Sequence, residues 1–115
     1  MLKLYIAVLD EFPDYMTPTL VAHSMLSAHL KFDGMPNYED WLNNSFRKVV
    51  VRVDWREFDK IKQLPYIHIG REYNTLDGRE SCIVVFPCSG DTVPNVLKFA
   101  KLWKPKNDSK QDSSV

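Results

Sequence analysis

The sequence is poor in the residues that announce a chemistry. Two of its 115 residues are cysteine and four are glycine, too few for a disulfide-stapled scaffold or a glycine-rich repeat. Cys82 and Cys88 fall six positions apart in one expected strand, roughly 20 Å at the rise of an extended chain. That separation is too long for a disulfide. Neither sign of charge is in excess, since 15 Lys and Arg balance 15 Asp and Glu. No global field would gather a polyanion or hold the chain on an acidic membrane. No apolar run approaches the length of a membrane span, and Met1 to Phe12 turns acidic too soon for a signal peptide. A cytoplasmic protein without membrane contact is the expectation. A glycine-rich phosphate loop, a CxxC pair, HExxH and GxSxG are also missing.

What is present is the composition of one folded domain, 44% hydrophobic and 26% charged, at a length suited to a single core. Leu2 to Leu9 is a nearly continuous apolar run ending at Asp10-Glu11-Phe12-Pro13-Asp14, as in a strand covered on both faces. Thr17 as N-cap with Pro18 at the first helical position predicts a helix to about Lys31. A second helix starts at Asn37, with Trp41, Leu42 and Phe46 at helical spacing. Arg47 to Val53, with four valines, is the clearest strand. Asp54 and Glu57 have capping-box spacing for a third helix to about Leu64, and Pro65 ends it. Tyr66 to Tyr73 and Ser81 to Pro87 read as strands of an antiparallel hairpin turning at Asp77-Gly78. A last helix is expected from Thr92 to Trp103.

The order β-α-α-β-α-β-β-α predicts an α/β fold, a mixed four-stranded sheet with helices on both faces. One domain is placed at residues 1–104. Residues 105–115, within the polar stretch that begins at Lys104, are expected to form a disordered tail.

Candidate chemistry sits at strand ends. Ligands of open α/β sheets bind beyond the carboxyl ends of parallel strands, which directs attention to Asp10, Thr17 and Thr19 and to the helix bearing His23 beside Ser24 and Ser27. Histidine is the side chain best suited to proton transfer near neutral pH, although a His hydrogen-bonded to a backbone carbonyl for purely structural reasons fits the same pattern. Asp10, Glu11 and Asp14 match no recognisable metal loop, and the three histidines are scattered. No metal and no cofactor are expected. The hairpin crowds Arg71, Glu72, Asn74, Arg79, Glu80 and Ser81 together, where the arginines could clamp a phosphate or carboxylate or simply balance neighbouring acids. Cys82, inside an apolar strand, is expected to be buried and inert. The closely spaced lysines from Lys98 to Lys110 suit a solvated helix end and tail, and offer the one local basic patch for a nucleic acid.

The ordered set of features resembles the type 2 peptidyl-tRNA hydrolase superfamily. The resemblance is carried by Lys3-Leu4-Tyr5-Ile6-Ala7-Val8-Leu9, by Val21-Ala22-His23-Ser24, and by Trp41-Leu42 ahead of Phe46-Arg47-Lys48-Val49-Val50-Val51-Arg52-Val53. It continues through Val85-Phe86-Pro87 and Leu97-Lys98-Phe99. It implies a compact mixed four-stranded sheet and an enzyme that cleaves the ester joining a peptide to tRNA. The chain departs from the family's motifs where Met16 and Leu20 stand in place of a Lys and a Gln, and where Arg71-Glu72-Tyr73-Asn74 replaces an Asp-Ala-Gly-Arg-Thr run. Gly78-Arg79-Glu80-Ser81 leaves Ser81 in place of a Thr. Loss of the Lys removes a group able to bind phosphate or steady a developing oxyanion, and loss of the Asp removes an acid-base or orienting carboxylate.

The expectation is therefore a divergent, non-hydrolytic member that binds a partner or small ligand in the cleft at the end of the first strand, through Asp10, Thr17, Thr19, Arg71, Asn74 and Arg79. The alternative is a working peptidyl-tRNA hydrolase with a rearranged site in which His23 and Ser81 are catalytic and tRNA is the partner. A nucleic-acid binding module is a third reading.

Overall fold

The computed structural model describes residues 1–106. The first strand, β1 (Leu2–Leu9), is buried on both faces because alternate residues enter different layers: Leu4, Ile6 and Val8 on one side, Ala7 and Leu9 on the other. This double burial is why its sequence reads as one apolar run. β1 pairs in parallel with β2 (Arg47–Val53), Lys3 opposite Arg47 and Leu9 opposite Val53. Parallel neighbours need a long crossover, and α1 (Thr17–Phe32) with α2 (Pro36–Asn43) supplies it. On its other edge β1 pairs antiparallel with β4 (Arg79–Ser89), which pairs antiparallel with β3 (Ile67–Glu72). α3 (Trp55–Ile61) follows β2, while α4 (Asn95–Lys98) precedes β5 (Lys101–Leu102), antiparallel to β2. The mixed sheet has five strands in the order β3-β4-β1-β2-β5.

Two cores result, one per face. α1 contributes Leu20, Ala28 and Phe32 and α2 contributes Tyr38 and Trp41, all against Leu4, Ile6, Val8, Cys82 and Val84. On the opposite face Phe58 and Ile61 of α3 and Leu97 of α4 cover Ala7, Val51, Val53, Ile83 and Val85. Each fully buried large side chain contributes about 1.5–3 kcal/mol by leaving water, so these layers hold the helices on the sheet. Helices thus cover both faces, as the sequence predicts.

Local signals behave as their chemistry requires. Asp54 caps α3, accepting from the Glu57 amide at 2.8 Å while the Glu57 carboxylate accepts from the Asp54 amide at 3.0 Å. Asp77 and Gly78 both have positive φ, 52° and 80°, and Arg79 N donates to Leu76 O at 3.0 Å. This is a mirror-image turn at the end of the connection Tyr73 to Gly78, since the strands already pair at Glu72 and Arg79, so the hairpin closes with a longer loop than the two-residue turn expected.

Several expectations need correction. The sheet has a fifth strand where the sequence predicts four. The expected helix from Thr92 to Trp103 shrinks to Asn95–Lys98. Pro94 sets its start, and Lys101 and Leu102 instead add to the open edge of β2, whose unpaired backbone groups would otherwise face solvent. Thr17 is not an N-cap: α1 begins at Thr17 itself, Met16 precedes it, and no side chain caps it. α3 stops at Ile61, short of Leu64. The stretch expected to be loose from Lys104 onward begins docked. Trp103 N donates to Val50 O at 2.9 Å, Arg52 reaches the Lys104 carbonyl, and the Lys106 amide donates to Asp14 at 2.7 Å. The rest of the expected tail, 107–115, lies outside the described residues. Among the described residues no helix is long and apolar enough to cross a membrane.

Candidate functional site

α1 runs across β3, and the period of two along the strand decides what meets it. Gly70 and Glu72 share the face turned to the helix. A Cβ on Gly70 would lie 2.0 Å from Ser24 Oγ, so glycine lets α1 settle directly on the strand. Two residues further on, the buried Glu72 carboxylate meets His23, with Nδ1 at 3.0 Å from each carboxylate oxygen. An ionised carboxylate only accepts, which makes Nδ1–H the donor, and in the neutral ring the lone pair is then on Nε2. The His23 side chain is 60% exposed and that of Glu72 7%. The acid is thus a fixed support behind a largely exposed ring.

His23 lines an open cleft of about 750 Å3 between α1 and the β3–β4 hairpin. Tyr15, Met16, Thr19 and Leu20 line the cleft from the helix side, with Leu26 and Ser27 beyond His23. Arg71, Tyr73, Asn74 and Leu76 line it from the hairpin side. The size suits a small-molecule moiety or one end of a larger substrate. Arg71 is held by hydrogen bonds to the Gly78 carbonyl at 3.1 Å and to Glu80 at 3.0 Å. The arrangement can therefore orient an imidazole, offer it a water or hydroxyl, and present a polar donor from Asn74.

Of the residues singled out from sequence, His23, Thr19, Arg71 and Asn74 come together here. The others do not. Ser81 is fully buried, its hydroxyl donating to Gly70 O at 3.4 Å, which removes it as a nucleophile in the cleft. Ser24, expected beside His23, points into the sheet instead. Thr17 is buried in the first turn of α1. Arg79 pairs with Glu11 at 3.0 Å and lies over the Phe12 ring, away from the cleft.

Asp10 is engaged elsewhere, so the carboxyl end of β1 is not an open binding site. Arg52 bonds Asp10 at 3.0 Å and Asp14 at 3.1 Å, the Trp103 ring lies 4.9 Å from the guanidinium carbon, and Lys106 Nζ is 2.7 Å from Asp10. Burial alone would raise the Asp10 pKa, but Lys106 and Arg52 outweigh it and hold the carboxyl below its usual value. Asp14 is held low chiefly by its hydrogen bonds to Arg52, with the Lys106 amide adding to them. Among the described residues no three His, Cys, Asp or Glu side chains gather to hold a metal ion. Burial pushes the Cys82 thiol up to about 11, as expected of an inert cysteine.

Glu72 is the partner of His23 that sequence reasoning missed. Its signal was available: in a strand of period two it shares the inward face with Gly70, and an acid on an inward face needs a partner. No protein-family model and no curated protein matches this chain.

Proposed function

We propose that the cleft is an ester-hydrolysing site of the type 2 peptidyl-tRNA hydrolase kind, with His23 as general base and Glu72 as the residue that orients it. The observation that carries the proposal is the buried Glu72 carboxylate at 3.0 Å from Nδ1 of His23, a residue that lines the cleft, which favours the tautomer with Nε2 as the base. The substrate class comes from the sequence resemblance. Of the groups whose loss argued against activity, a Lys, a Gln and an Asp, Glu72 makes good the carboxylate by reaching the His23 imidazole.

In the proposed reaction a water in the cleft gives a proton to His23 Nε2 as its oxygen bonds to the ester carbonyl carbon. The tetrahedral intermediate collapses by breaking the bond to the ribose oxygen, and the proton on Nε2 passes to that leaving oxygen. Glu72 stabilises the imidazolium between the two transfers without itself taking the proton. Asn74 is the cleft's donor for the developing oxyanion. Ser81 has no part.

A binding-only cleft is favoured by a different observation: Met16 and Leu20 line the helix wall at the positions where the resemblance calls for a Lys and a Gln. Hydrolysis of an N-blocked aminoacyl-tRNA separates the two readings. Turnover by the wild type that falls about 100- to 10,000-fold in His23→Ala, the range of a positioned general base, and falls also in Glu72→Gln supports hydrolysis. Wild-type turnover no faster than His23→Ala removes it and leaves the binding-only cleft.

A further inference from the structure

A second hollow, of about 340 Å3, lies between α1 and α2. Leu26 lines both it and the His23 cleft and is the ridge between them. The walls are almost wholly apolar: Ala22, Met25 and Leu26 come from α1, Trp41 and Leu42 from α2, and Phe46 from the connection to β2. Leu26 and Phe46 are 65% and 54% exposed, so this apolar surface faces solvent. Size and lining suit a small ligand.

Phe46 is held at the hollow under strain. Its φ is 54°, which a bulky residue rarely adopts, and such strain persists only where the surroundings fix it. Here they do. Phe46 N donates to Trp41 O at 2.8 Å, the ring stacks on Trp41 with centroids 5.4 Å apart, and Lys48 Nζ donates to Phe46 O at 2.7 Å.

The same Lys48 is the one permanently charged side chain that lines the hollow. Its Nζ lies 3.2 Å from the Phe46 ring centroid and 5.3 Å from that of Trp41. Partial burial lowers its pKa, and no carboxylate offsets the shift. An ammonium has three donors, and among the described residues only the Phe46 carbonyl takes one. His29, the other titratable side chain at the rim, has its Nδ1 engaged with the Tyr38 hydroxyl at 2.8 Å.

This composition selects among occupants. A peptide would carry its amides against walls that offer them almost no partner, and burying them so is costly. A second copy docking through its own α1 would bring no acid to Lys48, because Thr17–Phe32 contains none. An unbranched aliphatic tail needs only apolar walls, and a carboxylate at its head can take the free ammonium donors in charge-assisted hydrogen bonds.

We infer that the hollow between α1 and α2 binds an aliphatic carboxylate of medium chain length, its tail along Ala22, Met25, Trp41 and Leu42 and its head on Lys48. The inference is independent of the hydrolytic reading and uses no residue of that reaction.

The test titrates the isotopically labelled full chain with sodium octanoate below its micellar range, beside octan-1-ol and octylamine, and follows amide and indole resonances by NMR. Octanoate is expected to bind saturably, shifting Ala22, Met25, Leu26, Phe46 and the Trp41 indole, whose Nε1–H donates to Arg47 O. It should bind about tenfold more tightly than octanol, as for one hydrogen bond to a charged group, with octylamine weakest. Each methylene from hexanoate to octanoate should tighten binding about two- to fourfold. Lys48→Met keeps an apolar stem and should bring octanoate to the level of octanol without changing octanol. Phe46→Gly removes the ring at a φ that glycine adopts freely and should weaken both ligands. No saturable binding of octanoate, octanol or octylamine binding as tightly, a preference that survives Lys48→Met, or affinities untouched in Phe46→Gly overturns the inference. So do shifts confined to the His23 cleft. Tighter binding of acetyl-Ala-Leu-Leu with a free carboxylate would make a peptide terminus the occupant, and a dimer that shifts the same resonances and excludes octanoate would make it a second copy. Either result also overturns the inference.

Discussion

Replacing Gly70 by alanine probes the contact that sets α1 on the sheet and, through it, the His23–Glu72 pair. The new Cβ would lie 2.0 Å from Ser24 Oγ, 2.8 Å from Ser24 Cβ and 3.4 Å from Ser24 Cα. The hydroxyl can rotate away, but the Ser24 Cβ is fixed to the helix backbone. To bring it from 2.8 Å out to an ordinary 3.4 Å, helix and strand must part by the difference, 0.6 Å. α1 is tied down on both sides of Ser24 by the buried Leu20 and Ala28, so the shift strains a packed layer. Overpacking of this kind costs typically 1–3 kcal/mol, and a wedge against backbone belongs near the top, about 3 kcal/mol. In urea the midpoint should fall by about 1 M or more with an unchanged slope, given slopes of about 1–3 kcal/mol/M for small domains. The same parting would lengthen the 3.0 Å contact between His23 and Glu72 toward about 3.6 Å, beyond a hydrogen bond, so any turnover should fall with it. Ser24→Gly added to Gly70→Ala removes both Oγ and Cβ and should recover more than half of the loss, net of about 1 kcal/mol for glycine inside a helix. Ser24→Ala should not, because it keeps the Cβ. A Gly70→Ala protein within about 0.5 kcal/mol of wild type, or full recovery by Ser24→Ala, would refute the reasoning.

Two further perturbations test the rest of the fold. Val51→Ala should cost about 2 kcal/mol, two buried methyls plus the cavity they leave, because Val51 is 1% exposed, whereas the half-buried Val50 should cost distinctly less. Equal losses in urea titrations would contradict the two-layer assignment. Acid should also find the carboxyl end of β1 and β2. Asp10 and Asp14 have folded pKa values below their ordinary ones, so they add stability above the unfolded carboxylate value, about 3.9, that is lost as pH falls through their lower folded values. Wild-type unfolding free energy should hold from pH 7 to about 5 and then decline. In Arg52→Met the decline should be shallower, and a decline as steep as wild type's would show that Arg52 does not depress these acids.

How far the sequence could be read follows from which interactions are local. β1 and β2 have the limits expected of them, because their alternating or continuous apolar patterns state the burial of each face directly. The α3 cap lies within four residues, and the Asp77-Gly78 turn within a few more. The fifth strand was illegible for the converse reason. Lys101 and Leu102 are both exposed, so no burial pattern marks them, and they become a strand only because the edge of β2 lies open beside them. A helical period in Val93, Val96, Leu97 and Ala100 invited one long helix, but those side chains pack on the α3 face of the sheet from a path that is helical for four residues.

The site divides along the same line, and the division explains why its two halves were unequally visible. His23 can be singled out from one segment, because a histidine on a helix after a parallel strand is conspicuous by type and place. Glu72 lies 49 residues away in sequence within a run of charges, and there an acid that orients an imidazole looks like one that balances an arginine. Only the placement of Gly70 distinguishes them. Glycine at a strand position that faces a helix signals close approach of two backbones, and at a period of two the next residue on that face is Glu72. Arg71, between them, faces outward and pairs with Glu80, as hairpin charges ordinarily do. One strand thus carries both an outward charge balanced by its neighbours and an inward charge balanced only by tertiary structure. The inward one is the better candidate for function, because burying a carboxylate behind a single histidine costs desolvation that an exposed pair avoids, and that cost has a functional counterpart in the proton transfer proposed for Nε2.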